Sequence, residues 1–251
     1  MRLRRWLAAA LGLVLLAGCG GEKAARVDPA DYDAVFLWAG VPSSSVPRSA
    51  RTVYLLAGEV RADDPGRFVS LRPATPKGSG AALWYTVRVE RLDWSEAVYA
   101  RVLADLARWR AAGNRVVGLQ IDFDARTRGL ADYARFLAGL RRRMRHEYQL
   151  SITGLMDWSA QGHPAALAQL AGTVDEVVIQ TYQGRSTIPG YQAYMASLAK
   201  LPLPYRVGVV EDGEWQAPQD LENDPEFRGY VVFLLPPSRQ APGVQATARR
   251  N

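Results

Sequence analysis

Two carboxylates, Asp122 and Asp124, stand two residues apart at the end of a β-rich run, residues 115–124. Crowded carboxylates raise one another's pKa. One protonated and one ionised carboxyl can then serve as acid and as base, nucleophile or charge stabiliser, the pair that glycoside hydrolysis uses. Strict alternation puts Val117, Leu119, Ile121 and Phe123 on one face of the predicted strand and Gly118, Gln120, Asp122 and Asp124 on the other. Gln120 adds a third polar group deeper on the carboxylate face, and a buried polar group is costly without a partner or a purpose. The structural alternative is an Asp pair that caps the next helix. A divalent cation held by carboxylates alone is a further reading.

The other elements must gather groups around that pair. Eight strand candidates are spaced along the chain: 34–38, 52–58, 83–90, 115–124, 149–156, 176–182, 205–210 and 230–235. Helical spacing of apolar residues marks 94–112, 130–146 and 164–171, and a further helix is read over 190–200. The connections at 41–49 and 63–80 are rich in Ser, Pro and Gly and carry no helical pattern. The alternation of strand and helix from the third strand onward predicts an α/β fold, a (β/α)8 TIM-like barrel with irregular early crossovers over 34–251 as a single domain. A doubly wound open sheet is the second reading.

In such a barrel, chemistry sits at the C-terminal strand ends. Those ends bring Arg88 and Glu90, Asp122 and Asp124, Asp157 and Trp158, Gln180, Tyr182 and Gln183, and Glu211 to one mouth. Carboxylates and amides bind hydroxyl groups in pairs and aromatic faces stack on sugar rings, so the set fits a glycan. Each member also has a structural reading: Trp158 and Tyr182 roofing the core, Asp157 capping a turn, Glu211 belonging to the acidic run 211–214, Arg88 paired with Glu90. The two histidines, His146 and His163, fall away from strand ends. No Gly-rich phosphate loop, serine nucleophile elbow or nucleic-acid module is present, so no cofactor, metal or nucleic acid is expected.

The chain opens with Arg2, Arg4 and Arg5, then an apolar run too short to span a bilayer, then Leu16-Ala17-Gly18-Cys19. This segment resembles a bacterial lipoprotein signal peptide over residues 1–18. The resemblance implies cleavage before Cys19, lipidation of its thiol, a tether over 19–33 and anchorage in the bacterial cell envelope. Gly20 in place of Asp points to the periplasmic face of the outer membrane rather than the inner membrane. Cys19 is the sole cysteine, so the fold uses no disulfide. The net charge of +6 includes the three arginines of the signal segment, and Arg141, Arg142, Arg143 and Arg145 read as a solvated helix face.

The run Gly118-Leu119-Gln120-Ile121-Asp122-Phe123-Asp124 resembles the fourth-strand motif D-G-x-D-x-D-x-E of chitinase-like (family 18) glycoside hydrolases, and Gln180-Thr181-Tyr182-Gln183 is similar to their sixth-strand M-x-Y-D. Asp122 and Tyr182 match. Gln120 stands in place of the first inner Asp, Asp124 in place of the acidic Glu, and Gln183 in place of the Asp that assists the substrate. The whole chain is also similar to a bacterial family catalogued as domain of unknown function 3142. The resemblances imply a lipid-anchored barrel acting on a glycan, with Asp124 as general acid and Asp122 as the orienting, stabilising carboxylate. In this reading Tyr182, Trp158, Asp157, Gln120, Gln180, Gln183, Arg88, Glu90 and Glu211 bind substrate. The alternative from a different class is a catalytically silent lipoprotein barrel that binds a glycan or a protein.

Overall fold

The computed structural model describes residues 24–237, apart from 73, 78, 79, 159–163 and 219. Cys19 and His163 lie outside the described residues. Eight parallel strands carry the fold: β1 (Ala34–Leu37), β2 (Thr52–Val60), β3 (Ala82–Val89), β4 (Val116–Asp122), β5 (Gln149–Leu155), β6 (Glu176–Gln180), β7 (Tyr205–Val210) and β8 (Phe227–Phe233). Each pairs with its sequence neighbours, and β8 pairs with β1, so the sheet closes into a barrel. Closure excludes the open-sheet alternative and leaves no sheet edge between these strands.

Helices cover the middle of the barrel: α1 (Glu96–Ala111) before β4, α2 (Leu130–Arg143) before β5, α3 (Pro164–Ala171) before β6 and the single-turn α4 (Gln192–Met195) before β7. Ser95 caps α1 through the amide of Val98, and Val98, Val102, Leu106 and Trp109 form its buried stripe. α2 buries Leu130, Tyr133, Phe136, Leu137 and Leu140. The β1–β2 and β2–β3 connections contain no α-helix among the described residues, as their Ser/Pro/Gly composition predicts. The 190–200 segment is shorter in helix than expected: after α4 it ends in a 3-10 turn, Leu198–Lys200.

One sequence assignment is corrected inside β4. Leu83 pairs with Val116 but Trp84 pairs with Gly118, so Val117 is an extra residue in the ladder, a β-bulge. The bulge turns Val117 away from the face of Leu119 and Ile121 and into the barrel, where it packs on the interior cluster of Phe36, Tyr54, Trp84, Val178 and Val231. β4 also ends at Asp122, so Asp124 belongs to the following loop. β6 likewise ends at Gln180, before Tyr182.

Around the interior aromatic cluster the barrel is polar. Thr86 donates to Gln120 Oε1 (3.2 Å), Gln120 Nε2 donates to Ser151 Oγ (3.1 Å), and Ser151 donates to Glu176 Oε1 (3.0 Å). Tyr54 also donates to Glu176 Oε1 (2.5 Å), and Arg206 Nε donates to Oε2 (3.2 Å). Four side chains from four strands thereby satisfy one buried carboxylate and one buried amide.

The close approach of β5 makes Gly118 indispensable. A Cβ at this position would lie 2.0 Å from the backbone oxygen of Gln149 on β5. Gly118→Ala is expected to destabilise the fold by about 3 kcal/mol through overpacking against backbone, read as a lowered denaturant midpoint. An unchanged midpoint would show that the strands separate here without cost.

Candidate functional site

The mouth of the barrel holds a cleft of about 570 Å³ lined by Trp38, Arg88, Asp122, Asp124, Arg126, Leu155, Gln180, Tyr182, Gln183, Gly184, Ile188 and Phe233. Its floor is the end of β4. Asp122 is buried there, 8% exposed, and its Oδ1 accepts from Thr153 Oγ1 at 2.9 Å. Burial pushes the Asp122 carboxyl up to about 6; the Thr153 hydrogen bond and the Arg88 charge oppose this, while the Asp124 charge adds to it. Asp124 is exposed at the rim. The two carboxylates therefore sit in different media, one withdrawn from water and one in it.

An aromatic wall runs along one side. Trp38 and Phe233 rings lie 5.5 Å apart, and Tyr182 and Phe233 rings 5.1 Å apart. The Arg88 guanidinium lies 5.4 Å over the Trp38 ring, a cation–π arrangement that holds its charge beside Asp122. Burial and the negative charge of Asp122 push the Tyr182 hydroxyl well above the ordinary phenol range, so Tyr182 is a hydrogen-bond donor at all working pH values. Gln180 and Gln183 supply amides to the same cleft. Aromatic faces, amides, a guanidinium and two carboxylates form a surface able to bind a polyhydroxylated ring from its face and its edge.

Of the predicted set, Asp122, Asp124, Arg88, Gln180, Tyr182 and Gln183 meet in this cleft. Five others do not line it. Gln120 is fully buried, held between Thr86 and Ser151 as part of the barrel filling. Trp158, 1% exposed, cannot offer a face to a sugar; its ring packs edge-on to Tyr133, and its Nε1 donates to the carbonyl of Ala125 at 2.9 Å. Asp157 Oδ2 accepts from Thr127 Oγ1 at 2.8 Å, and its Oδ1 is buried with no partner among the described residues. Glu211 Oε2 accepts from the amide of Leu235 at 2.7 Å, joining the ends of β7 and β8. Glu90 accepts from the amide of Ala62 and makes no ion pair with Arg88 among the described contacts; it lines a smaller side cleft of about 230 Å³ that shares Arg88, Asp122 and Asp124.

Trp158 and Asp157 hold the site from behind. Their hydrogen bonds land on Ala125 and Thr127, in the loop that carries Asp124. Thr153 belongs to the same device, accepting from the amide of Phe123 at 3.2 Å while donating to Asp122. The residues that sequence reading missed are Trp38, Phe233, Leu155, Arg126, Gly184 and Ile188. Trp38 and Phe233 end β1 and β8, so the strand-end rule that gathered the others points to both. Among the described residues, no group of three or more His, Cys, Asp or Glu side chains converges as a metal ligand set.

The raised Asp122 pKa links pH to stability. The folded protein holds this proton more tightly than the unfolded chain, whose carboxyl titrates near the ordinary 3.8. Protonation therefore stabilises the fold fully below about pH 4, and that contribution is lost as pH rises through about 6, about 3 kcal/mol at roughly 1.4 kcal/mol per pH unit. The charged and titratable groups around it are Asp124, Arg88, Tyr182 and Tyr133. Denaturant titrations between pH 4 and 7 are expected to show this decline in the parent chain and a flatter profile in Asp122→Asn. Parallel profiles would refute the assignment.

Solved structures are similar to this barrel at low identity. The chitinase domain of the spore coat protein CotE from Clostridium difficile is 13% identical, with a TM-score of 0.49, covering 79% of this chain and 68% of that one. The spore cortex-lytic enzyme SleL from Bacillus cereus is 15% identical, with a TM-score of 0.45 over 64% of this chain; the match spans 44% of SleL. A class V chitinase from Nicotiana tobaccum is 10% identical, with a TM-score of 0.45, over 71% of this chain and 66% of its own. No curated protein matches the chain in sequence. Residues 83–198, from β3 through α4, match the family described as "Domain of unknown function (DUF3142)".

Proposed function

We propose that this chain is a glycoside-hydrolase-like protein that takes a glycan into the cleft at the barrel mouth. The observation that carries the reading is the pairing of a buried and an exposed carboxylate beside the aromatic wall of Trp38, Phe233 and Tyr182. In this proposal Asp124, at the open rim, protonates the glycosidic oxygen as the anomeric C–O bond breaks; water then adds to the anomeric carbon and returns a proton to Asp124. Asp122, held by Thr153, orients the sugar and balances the charge that develops at its ring. Tyr182 donates a hydrogen bond, Gln180 and Gln183 bind hydroxyl groups, and Trp38 stacks on a ring face. Arg88 keeps the floor from carrying two uncompensated charges. The proposal extends to attachment: Cys19 carries lipid, and the mature chain works in the bacterial envelope.

A second reading, a barrel that binds glycan without cleaving it, is favoured by one observation. Asp124 stands exposed in the loop after β4 rather than on the strand, and a general acid must be held within hydrogen-bond reach of the oxygen it protonates. Product analysis by mass spectrometry after incubation with a panel of glycans and peptidoglycan fragments separates the two. Asp124→Asn is expected to lose cleavage by about 100-fold or more while keeping affinity. Trp38→Ala is expected to weaken binding about 10-fold or more, the worth of roughly 1.4 kcal/mol of lost ring contact. Binding with no product from the parent chain would establish the second reading. Neither binding nor cleavage across the panel would overturn both.

A further inference from the structure

The segment expected to be a tether, residues 19–33, is not loose in its described part, which begins at residue 24. Ala25 and Arg26 pair antiparallel with Trp215 and Glu214, in the loop that leaves the C-terminal end of β7. The pairing continues as Val27 donates to the carbonyl of Gly213 (3.0 Å) and Asp212 donates to the carbonyl of Val27 (3.0 Å). Val27 itself is buried, 2% exposed. Arg26 Nη1 adds a bond to the carbonyl of Asp212. Gly213 is closed to any Cβ by Thr187 Oγ1 and Val210, so this junction is tightly fitted.

The seam is at the mouth. Ala24 and Arg26 line a second cleft of about 680 Å³, together with Arg185, Tyr191, Asp212 and Glu214. Ile188 lines both this cleft and the one that contains Asp122 and Asp124. Residues 24–27 are therefore fixed at the end of the barrel where the site opens. Cys19 precedes Ala24 by five residues, a span of at most ~18 Å when fully extended. The opposite end of the barrel lies about 20 Å away along β7, six residues at ~3.3 Å each.

We propose that the interaction surface next to the site is a lipid bilayer: attachment through Cys19 holds the mouth of the barrel at the membrane, with the β-strand N-termini turned away. The inference rests on the lipid attachment proposed above. The saccharides within reach of the cleft are then those displayed at or near the lipid surface. A long flexible tether would leave the barrel free to turn, and a chain held at the opposite end would present the site outward; the described segment, held in the seam at Arg26 and Glu214, provides neither.

The test uses the lipid-modified full chain reconstituted in phosphatidylethanolamine/phosphatidylglycerol vesicles carrying an acceptor dye on lipid. Because Cys19 is the only cysteine and its thiol is consumed by the lipid, an introduced thiol labels alone. Donor dyes are placed at Gln183→Cys, at the mouth, and at Lys200→Cys, in the turn that leads into the start of β7; both positions are exposed. Energy transfer to the bilayer is expected to be stronger from position 183 than from 200. Inserting a 20-residue Gly/Ser segment after Lys23 is expected to erase the difference, since its mean reach of roughly 25 Å exceeds the barrel height. Equal transfer from both positions in the parent tether, or stronger transfer from 200, would overturn the orientation alone. An intact mass showing an unmodified Cys19 would overturn the attachment and the orientation with it.

Discussion

The site depends on one close approach, the backbone of Gln149 on β5 against the bare Cα of Gly118 on β4. With no side chain at 118, the strands meet there and Val117 is left as an extra residue against β3. That extra residue resets which side chains face inward. Below the bulge Val117 fills the interior beside Trp84; above it Gln120 and Asp122 take the inward places. Without the reset, one continuous pleat that sent Val117 inward would send Leu119 and Ile121 inward too. The carboxylate would then lie in the apolar layer against α1 and α2. The chemistry of the mouth is thus set by packing several residues below it.

The filling of the barrel follows from the same inward set. A barrel of eight strands is usually packed with branched apolar side chains. Here one interior layer is aromatic instead, built from Phe36, Tyr54 and Trp84, whose rings stack at 5.5 and 5.7 Å. Around it Glu176, Ser151, Gln120 and Thr86 form a hydrogen-bonded chain that ends on Arg206 and Tyr54. A partly satisfied network inside a protein is worse than an apolar core, so its closure matters more than its polarity. Asp122 stands apart from this chain, with Thr153 as its hydrogen-bond partner. The interior carboxylate Glu176 is neutralised by the Arg206 cation and two hydroxyl donors, whereas the cleft carboxylate Asp122 keeps capacity for a ligand or a proton.

The barrel was legible because strand and helix alternate in the sequence and because buried parallel strands read as near-continuous apolar runs. Strand ends were legible for the same reason: where the run stops, the mouth begins, and Asp122, Arg88 and Gln180 all fall there. Three kinds of detail were not legible. A bulge leaves no mark in simple alternation, so Val117 reads as a face-mate of Leu119 until pairing partners are known. Side chains just past a strand end can fold either way, and Trp158 folds outward onto Tyr133 and Ala125 rather than over the mouth. Trp38 and Phe233 were passed over because no charged residue stands beside them at their strand ends, yet ring contacts from Trp38 to Phe233 and from Phe233 to Tyr182 make them part of one wall.

The departure of Asp124 from the chitinase-like pattern takes on a different meaning once β4 is seen to end at Asp122. In a continuous strand the pleat fixes where each Cβ stands, and a side chain shorter by one methylene withdraws its carboxylate by about that length. Asp124 is not on the pleat. Its loop is set by three anchors, one at the cleft floor and two behind it: the Phe123 amide on Thr153, the Ala125 carbonyl on Trp158, and Thr127 on Asp157. Phe123 adds a ring contact to Tyr133 at 5.0 Å. The position of the carboxylate is therefore decided by how those contacts carry the backbone, and side-chain length is one contribution among several. Trp158 and Asp157 lie outside the cleft, yet they bear on the site through the loop they hold.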